Sequence, residues 1–434
     1  MGLSRRLHEV MREVLIVGGG ASGILVATHI AKVATSPMSV TIAEPAPVLG
    51  AGLAYSTRDG GHLLNVPAGR MSAFSNIPAH FQEWAGCEAG DFISRKRYGR
   101  YLLETFIETQ LRNPFVSFRH ERVKVESIDE QDGSFHVLSE SGPLGKFDSV
   151  VLATGHGMPL QPSLGDTLQH STHYVDDPWR DPIPAAKGLM VSIGTGLTFI
   201  DLALSHLRRD PLNTVLGVSR TGELPRAHLH HRSAPLSVPE SARSNPTALR
   251  SYIEGSSDWR AAQDGVRHEM PEIWHRWSEG EKKDFWDSHL RWWNVHRHRM
   301  APAIADELNE WREKGRLTFA TSDSLSFREL PSGICIDLPD GQSTNAEIVV
   351  NTTGYASAET SPLIESMRRR GLVEIGPLGL GIRSNFPDHE LIASDGGIRR
   401  GLYGNGPILL GERLETTAIP EIRDQAAVIA QALV

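Results

Sequence analysis

The 434-residue chain contains two cysteines, Cys87 and Cys335, far apart and without a CxxC pair. A redox-active dithiol needs two closely spaced thiols, so that chemistry is excluded, and both residues read as small buried apolar side chains. Long apolar runs are missing too: none approaches the ~18 residues that suggest a membrane span. Positive charge is not in excess. The formal net charge of −8 argues against nucleic acid or an anionic membrane surface as the main partner. Arg5, Arg6 and Arg12 precede the first apolar run, but that run is too short for a signal peptide and ends in glycines, so a cytoplasmic protein is expected. With 40% hydrophobic and 22% charged residues the composition is otherwise that of a globular chain. Its length suits two or three domains at ~150 residues each.

What is present begins at Val14. The run Val14-Leu15-Ile16-Val17 is long enough for one buried strand and leads into Gly18, Gly20 and Gly23 at G-x-G-x-x-G spacing, then a helical stretch, then a strand from Ser39 to Ala43 ending at Glu44. Strand, glycines, helix and acid in this order are the sequence form of a dinucleotide-binding βαβ unit. Gly18 permits the turn, Gly20 lets backbone approach a pyrophosphate, and Gly23 lets helix and strand pack closely. Ala21 and Ser22 lie at the helix start, where free N–H groups face phosphate, and Glu44 would accept hydrogen bonds from ribose hydroxyls.

A second unit starts at Leu189 to Ile193, with Gly194 and Gly196, but Phe199 stands where the third glycine belongs. Its second strand, Thr214 to Val218, ends in Ser219-Arg220 instead of an acid, which suits the 2′-phosphate of NADP better than NAD. A degenerate, empty site is the alternative. Apolar strands ending in Ala153-Thr154-Gly155 and in Asn351-Thr352-Thr353-Gly354 flank this unit and suggest that one domain is interrupted by another. Residues 97–112 carry an amphipathic helical pattern, and short β-like runs occur at 122–128, 134–139, 147–153, 315–320, 324–329 and 333–338. Between 246 and 314 lies a helical region with seven of the nine tryptophans, read either as helix packing or as walls of a substrate pocket. Near the C-terminus Thr417 reads as the N-cap of a last helix, with Pro420 and Glu421 in its first turn.

The blocks Gly52 to Thr57, His62 to Ala73, Tyr98 to Leu102, Asn294 to Pro302 and Glu415 to Arg423, together with Val17 to Gly23, resemble a family of bacterial FAD/NAD(P)-binding flavoproteins, the YdhS-like family, over nearly the whole chain. More distantly the arrangement is similar to flavin monooxygenases of the N-hydroxylating and Baeyer-Villiger types. The resemblance implies an α/β fold of two three-layered Rossmann-like domains with a Trp-rich helical insertion. The expected boundaries are an FAD-binding domain over 1–185, an NAD(P)-binding-like domain over 186–345 with the insertion at about 246–314, and the rest of the FAD domain over 346–434. It further implies FAD on Gly18, Gly20, Ala21, Ser22, Gly23 and Glu44, with Asn65, Met71 and Ser72 of the 62–73 block near the flavin, joined by Thr154, Gly155, Gly354 and Thr417. NADP(H) is expected on Gly194, Gly196, Ser219 and Arg220.

The activity expected is an NADPH-dependent FAD monooxygenase acting, with molecular oxygen, on a small molecule with a nucleophilic N, S or C centre. An FAD oxidase or dehydrogenase taking hydride from its substrate, and a non-catalytic flavin-binding protein, are the alternatives. Such flavin chemistry needs no catalytic dyad or triad, and none is found. His228, His230, His231, His289, His296 and His298 have no carboxylate or cysteine at a metal-ligand spacing, so no metal is expected. Arg297 and Arg299 suit either a phosphate or acidic substrate or a solvated basic face. Ser22, Ser72 and Ser192 lack a G-x-S-x-G elbow.

Overall fold

A computed structural model describes residues 11–162, 168, 170–181, 183–230, 233–322, 325–338 and 341–434; Arg5, Arg6 and His231 lie outside them. Arg12–Val17 forms the first strand and Ala21–Val33 the helix behind it. Val14, Leu15 and Ile16 are wholly buried, as expected of a parallel strand covered on both faces. Its sheet has six strands in the order 390–392, 398–404, 149–152, 12–17, 38–43 and 116–121, and only the first of these is antiparallel to its neighbour. The helix Arg95–Arg112, capped by Ser94, and the C-terminal helix Ile419–Leu433 cover the face that Ala21–Val33 also covers.

The second sheet is parallel throughout, in the order 317–321, 214–219, 189–193, 348–351 and 174–175. Each sheet is followed in the chain by a three-stranded antiparallel unit, 125–147 for the first and 326–346 for the second, before its return strand. The architecture is the expected pair of Rossmann-like folds.

The boundaries differ from those expected. Strand Ile348–Asn351 pairs with Leu189–Ile193 and with Tyr174–Val175, so the Thr-Gly return at 352–354 closes the second fold, not the first. The first fold takes its fifth parallel strand from Ile398–Gly404 instead. The crossings therefore lie near 157–160 and 354–357 rather than at 185 and 346. They run side by side: the Gly157 N–H donates to the Ala356 carbonyl at 2.9 Å, Ala356 donates to Met158 at 2.8 Å, and Leu160 donates to Gly354 at 2.9 Å.

The helical region also divides. Pro302–Glu313 buries Ile304 and Leu308 against Phe199 and Leu207, so it is the crossover helix of the second fold. The insertion proper has its own core of Leu249, Ile253, Met270, Trp274, Trp277, Phe285 and Trp293, continuous with Leu414 of the first fold. Trp274 donates to the Gly411 carbonyl at 2.7 Å and Trp293 to Glu415 at 3.1 Å, satisfying both indole N–H groups. These rings pack helices and fasten the insertion to the first fold.

Candidate dinucleotide cradles and the cleft between them

The first glycine turn tolerates no side chain. Gly18 has φ of +100°, and a Cβ there would lie 2.4 Å from the Ala153 carbonyl oxygen. A Cβ on Gly23 would lie 1.8 Å from the Gly18 oxygen, which brings helix and strand into backbone contact. The helix starting at Ala21 has Gly20 at its N-cap, no capping side chain and no acid in its first turn, so its leading N–H groups are open to an anion. By contrast Ser94, Asn245, Asp258, Ser278 and Ser361 cap helices with their own side chains. The Glu44 carboxylate accepts from the Gly19 N–H at 2.8 Å and the Ala46 N–H at 2.9 Å, which anchors it at the glycine turn. Each oxygen has a further lone pair for a ribose hydroxyl.

At the far end of the same cradle, Thr154 Oγ1 and Asn405 Oδ1 are buried and without a hydrogen-bond partner. Asn405 donates to the Ser22 carbonyl at 3.1 Å, and Gly406 lies against the Ser22 side chain. Buried polar atoms are rarely left unpaired, so orphaned acceptors beside an uncapped helix start fit a bound hydroxyl-rich chain such as the ribityl and diphosphate of FAD. Sequence reasoning missed Asn405 and Gly406, although the apolar run Leu402-Tyr403 ending in Gly404-Asn405-Gly406 carries the signal of a strand leaving a sheet.

Other expected residues differ in role. Asn65 lines a cleft, its carbonyl 3.0 Å from His228 Nε2. Met71 is buried, with its carbonyl accepting from the Tyr98 hydroxyl. Ser72 is wholly buried and its hydroxyl is used within its own turn, donating to Ile77 O and accepting from the Phe74 N–H, so its side chain is not directed at a ligand. Gly155 has φ of +77° and open space where a Cβ would be. Gly354 follows the strand Ile348–Asn351 of the second fold, and its carbonyl accepts from the Leu160 N–H of the first crossing at 2.9 Å. Thr417 is not the N-cap: the last helix begins at Ile419 behind Ala418, which has no capping side chain, and Thr417 Oγ1 instead meets Arg297 at 3.4 Å.

In the second fold Gly194 has φ of +108° and would place a Cβ 2.5 Å from Thr352 O, while a Cβ on Gly196 would meet nothing within 4 Å. The helix Leu197–Arg209 is again uncapped, with no acid in its first turn. Phe199 is wholly buried, and its ring lies over Gly217 of the neighbouring strand, edge-on to Phe319 at 5.7 Å. The glycine absent from the helix is thus present in the strand. The Ser219 hydroxyl accepts from Thr195 Oγ1 at 2.9 Å and from the Gly222 N–H at 3.0 Å, and Arg220 is exposed beside it.

Between the folds and the insertion lies a cleft of about 320 Å³ lined by Asn65, Arg70, His228, Arg267, Arg297 and Ala418, among others. Behind it Glu415 accepts from Arg297 through both carboxylate oxygens at 2.8 Å and faces Arg267 Nε at 3.5 Å. Burial favours the protonated acid, but the two guanidiniums prevail and hold Glu415 well below the usual carboxylate range. Burial and the adjoining Arg297 keep the His298 imidazole neutral.

With this geometry in place, the chain can be compared with known proteins. Residues 15–157 match the family of FAD-NAD(P)-binding domains. No curated protein matches the chain in sequence. Among solved structures, the ornithine N-hydroxylase of Kutzneria sp. 744 is 13% identical with a TM-score of 0.64, covering 98% of this chain and 99% of the other. The L-lysine 6-monooxygenase of Pseudomonas syringae is 16% identical with a TM-score of 0.61, covering 97% and 98%. The bacillithiol disulfide reductase of Bacillus cereus is 15% identical with a TM-score of 0.58, covering 98% of both chains. At these identities the chain shares the fold of these proteins.

Among the described residues no three His, Cys, Asp or Glu side chains converge as metal ligands. No described helix is long and apolar enough to cross a membrane.

Proposed function

We propose that the protein is an NADPH-dependent FAD monooxygenase acting on a small molecule with a nucleophilic N, S or C centre. The observation that carries this reading is the second uncapped glycine turn, open at Gly196 and flanked by Ser219 and Arg220. The fold is shared with hydroxylases and disulfide reductases alike. The isolated Cys87 and Cys335 remove the dithiol route and favour the hydroxylases.

On this reading the N–H groups of Ala21 to Gly23 hold the FAD diphosphate, Glu44 the adenosine ribose, and Thr154 and Asn405 the ribityl hydroxyls. Gly194 and Gly196 receive the NADPH diphosphate, and Ser219 with Arg220 its 2′-phosphate, for which a guanidinium is suited. FAD bound there would supply the redox chemistry between the nicotinamide and oxygen. The chain orients the reactants, and the insertion walls the cleft from water.

The test is anaerobic stopped-flow mixing of FAD-loaded protein with NADPH. Bleaching of the flavin absorbance is expected, slower with NADH, with Arg220→Ala removing that preference. A flavin that stays oxidised with both nucleotides rejects the proposal, and bleaching by substrate alone would replace it with an oxidase or dehydrogenase.

A further inference from the structure

One side of the cleft belongs to neither dinucleotide cradle. Helix Trp259–Arg276 of the insertion presents Gln263, Asp264 and Arg267 on one face, since positions three and four apart align. Arg267 lines the cleft with a side chain only 5% exposed. Its outer nitrogen donates to Glu421 at 3.0 Å, and its Nε faces the Glu415 carboxylate at 3.5 Å without a hydrogen bond. One turn away Gln263 is wholly buried, and both its amide nitrogen and its amide oxygen lack partners. A buried carboxamide with no partner on either side is costly to maintain in a finished protein core, so a bound group is the natural partner. Arg70 also lines the cleft, with its guanidinium 3.8 Å from Asp264. Among the described residues here, four guanidiniums (Arg70, Arg267, Arg297, Arg299) meet three carboxylates (Asp264, Glu415, Glu421).

We infer that Arg267 and Gln263, with Arg70, form an oxyanion subsite that holds a carboxylate or similar group of the substrate. The insertion is the part of the chain that a dinucleotide fold does not need, so it is where a substrate group distinct from both cofactors is held. The inference deepens the proposed function and rests on it for the word substrate. Gln263 Nε2 donates to the anion, and the guanidiniums of Arg267 and Arg70 contribute charge. A plain diamine finds a positive wall, and an acid of the same size finds a partner. Arg267 and Gln263 are positioning residues in this scheme, with no part in bond making.

The experiment compares isosteric pairs, benzoate with benzamide and acetate with acetamide, by perturbation of the flavin spectrum of the FAD-loaded protein without NADPH. At least one acid is expected to bind ten-fold or more tightly than its amide. Arg70→Gln and Gln263→Met should each reduce that preference several-fold, while Glu421→Gln, which removes a competing carboxylate beside Arg267, should increase it. FAD affinity should be unchanged in Arg70→Gln, which lies on the exposed rim and serves as the readout if Gln263→Met folds poorly. Equal binding of acid and amide, no binding by any acid, or loss of FAD affinity in place of anion affinity overturns the inference. If NADPH fails to reduce the flavin while the acid preference holds, the subsite stands and the monooxygenase reading falls.

Discussion

Restoring the missing fingerprint glycine by Phe199→Gly should damage the protein instead of improving its nucleotide site. The Phe199 ring is wholly buried over Gly217, within 3 Å of where a Cβ on that glycine would sit, and edge-on to Phe319. Truncating a buried phenylalanine costs about 3–5 kcal/mol through lost transfer energy and the cavity left behind. A glycine within a helix adds about 1 kcal/mol. The expected loss of about 4–6 kcal/mol is a large part of the ~5–15 kcal/mol that stabilises a domain. Gly217→Ala in the native background should cost about 1–3 kcal/mol by overpacking, because its Cβ would meet Phe199 at 2.9 Å and Phe319 at 3.1 Å. In a Phe199→Ala background the same methyl enters the vacated space and should cost far less, giving a coupling of about 1 kcal/mol or more. Urea unfolding followed by circular dichroism measures the native protein and the four variants, and equilibrium dialysis measures NADP⁺ binding. Tighter NADP⁺ binding with undiminished stability in Phe199→Gly would refute the idea that Gly217 has taken over the glycine's role.

Two further outcomes follow from the first fold. Gly23→Ala places a methyl 1.8 Å from a backbone oxygen that no side-chain motion can relieve, so the helix must retreat from the strand; the protein should purify without FAD, and a stoichiometric flavin absorbance would contradict this. His29 is buried against the Ala73 carbonyl at 3.1 Å, and burial lowers its pKa to about 4, so it is neutral when folded. Because the folded value lies below the unfolded ~6.5, its contribution is full above pH 6.5 and is lost as the pH falls toward 4, a change of about 3 kcal/mol. The slope of unfolding free energy over that range should flatten in His29→Gln, and an unchanged slope would assign the acid sensitivity elsewhere.

Both strand-glycine-helix units are legible in the sequence because each is local: Val14 to Gly23 and Leu189 to Gly196 fix their own turns by steric need. The sheet that a return strand joins is not legible. Val150-Val151-Leu152 and Ile348-Val349-Val350 are equally apolar, because both are covered on two faces, and partner choice depends on contacts far along the chain. For the same reason Ile398–Gly404 escaped notice, and with it Asn405. Phe199 marks the correct anomaly, but its compensation sits in another strand. The link from Arg267 and Arg297 to Glu415 and Glu421 joins the insertion to the last helix, and no spacing rule brings these together.

The two crossings between the folds are laced to each other by backbone hydrogen bonds at Gly157, Leu160 and Ala356. A pair of strands joined in this way resists stretching and sliding but twists with little resistance. Neither crossing can shift along its length without breaking the bonds to the other. A substitution in either crossing is therefore felt by both.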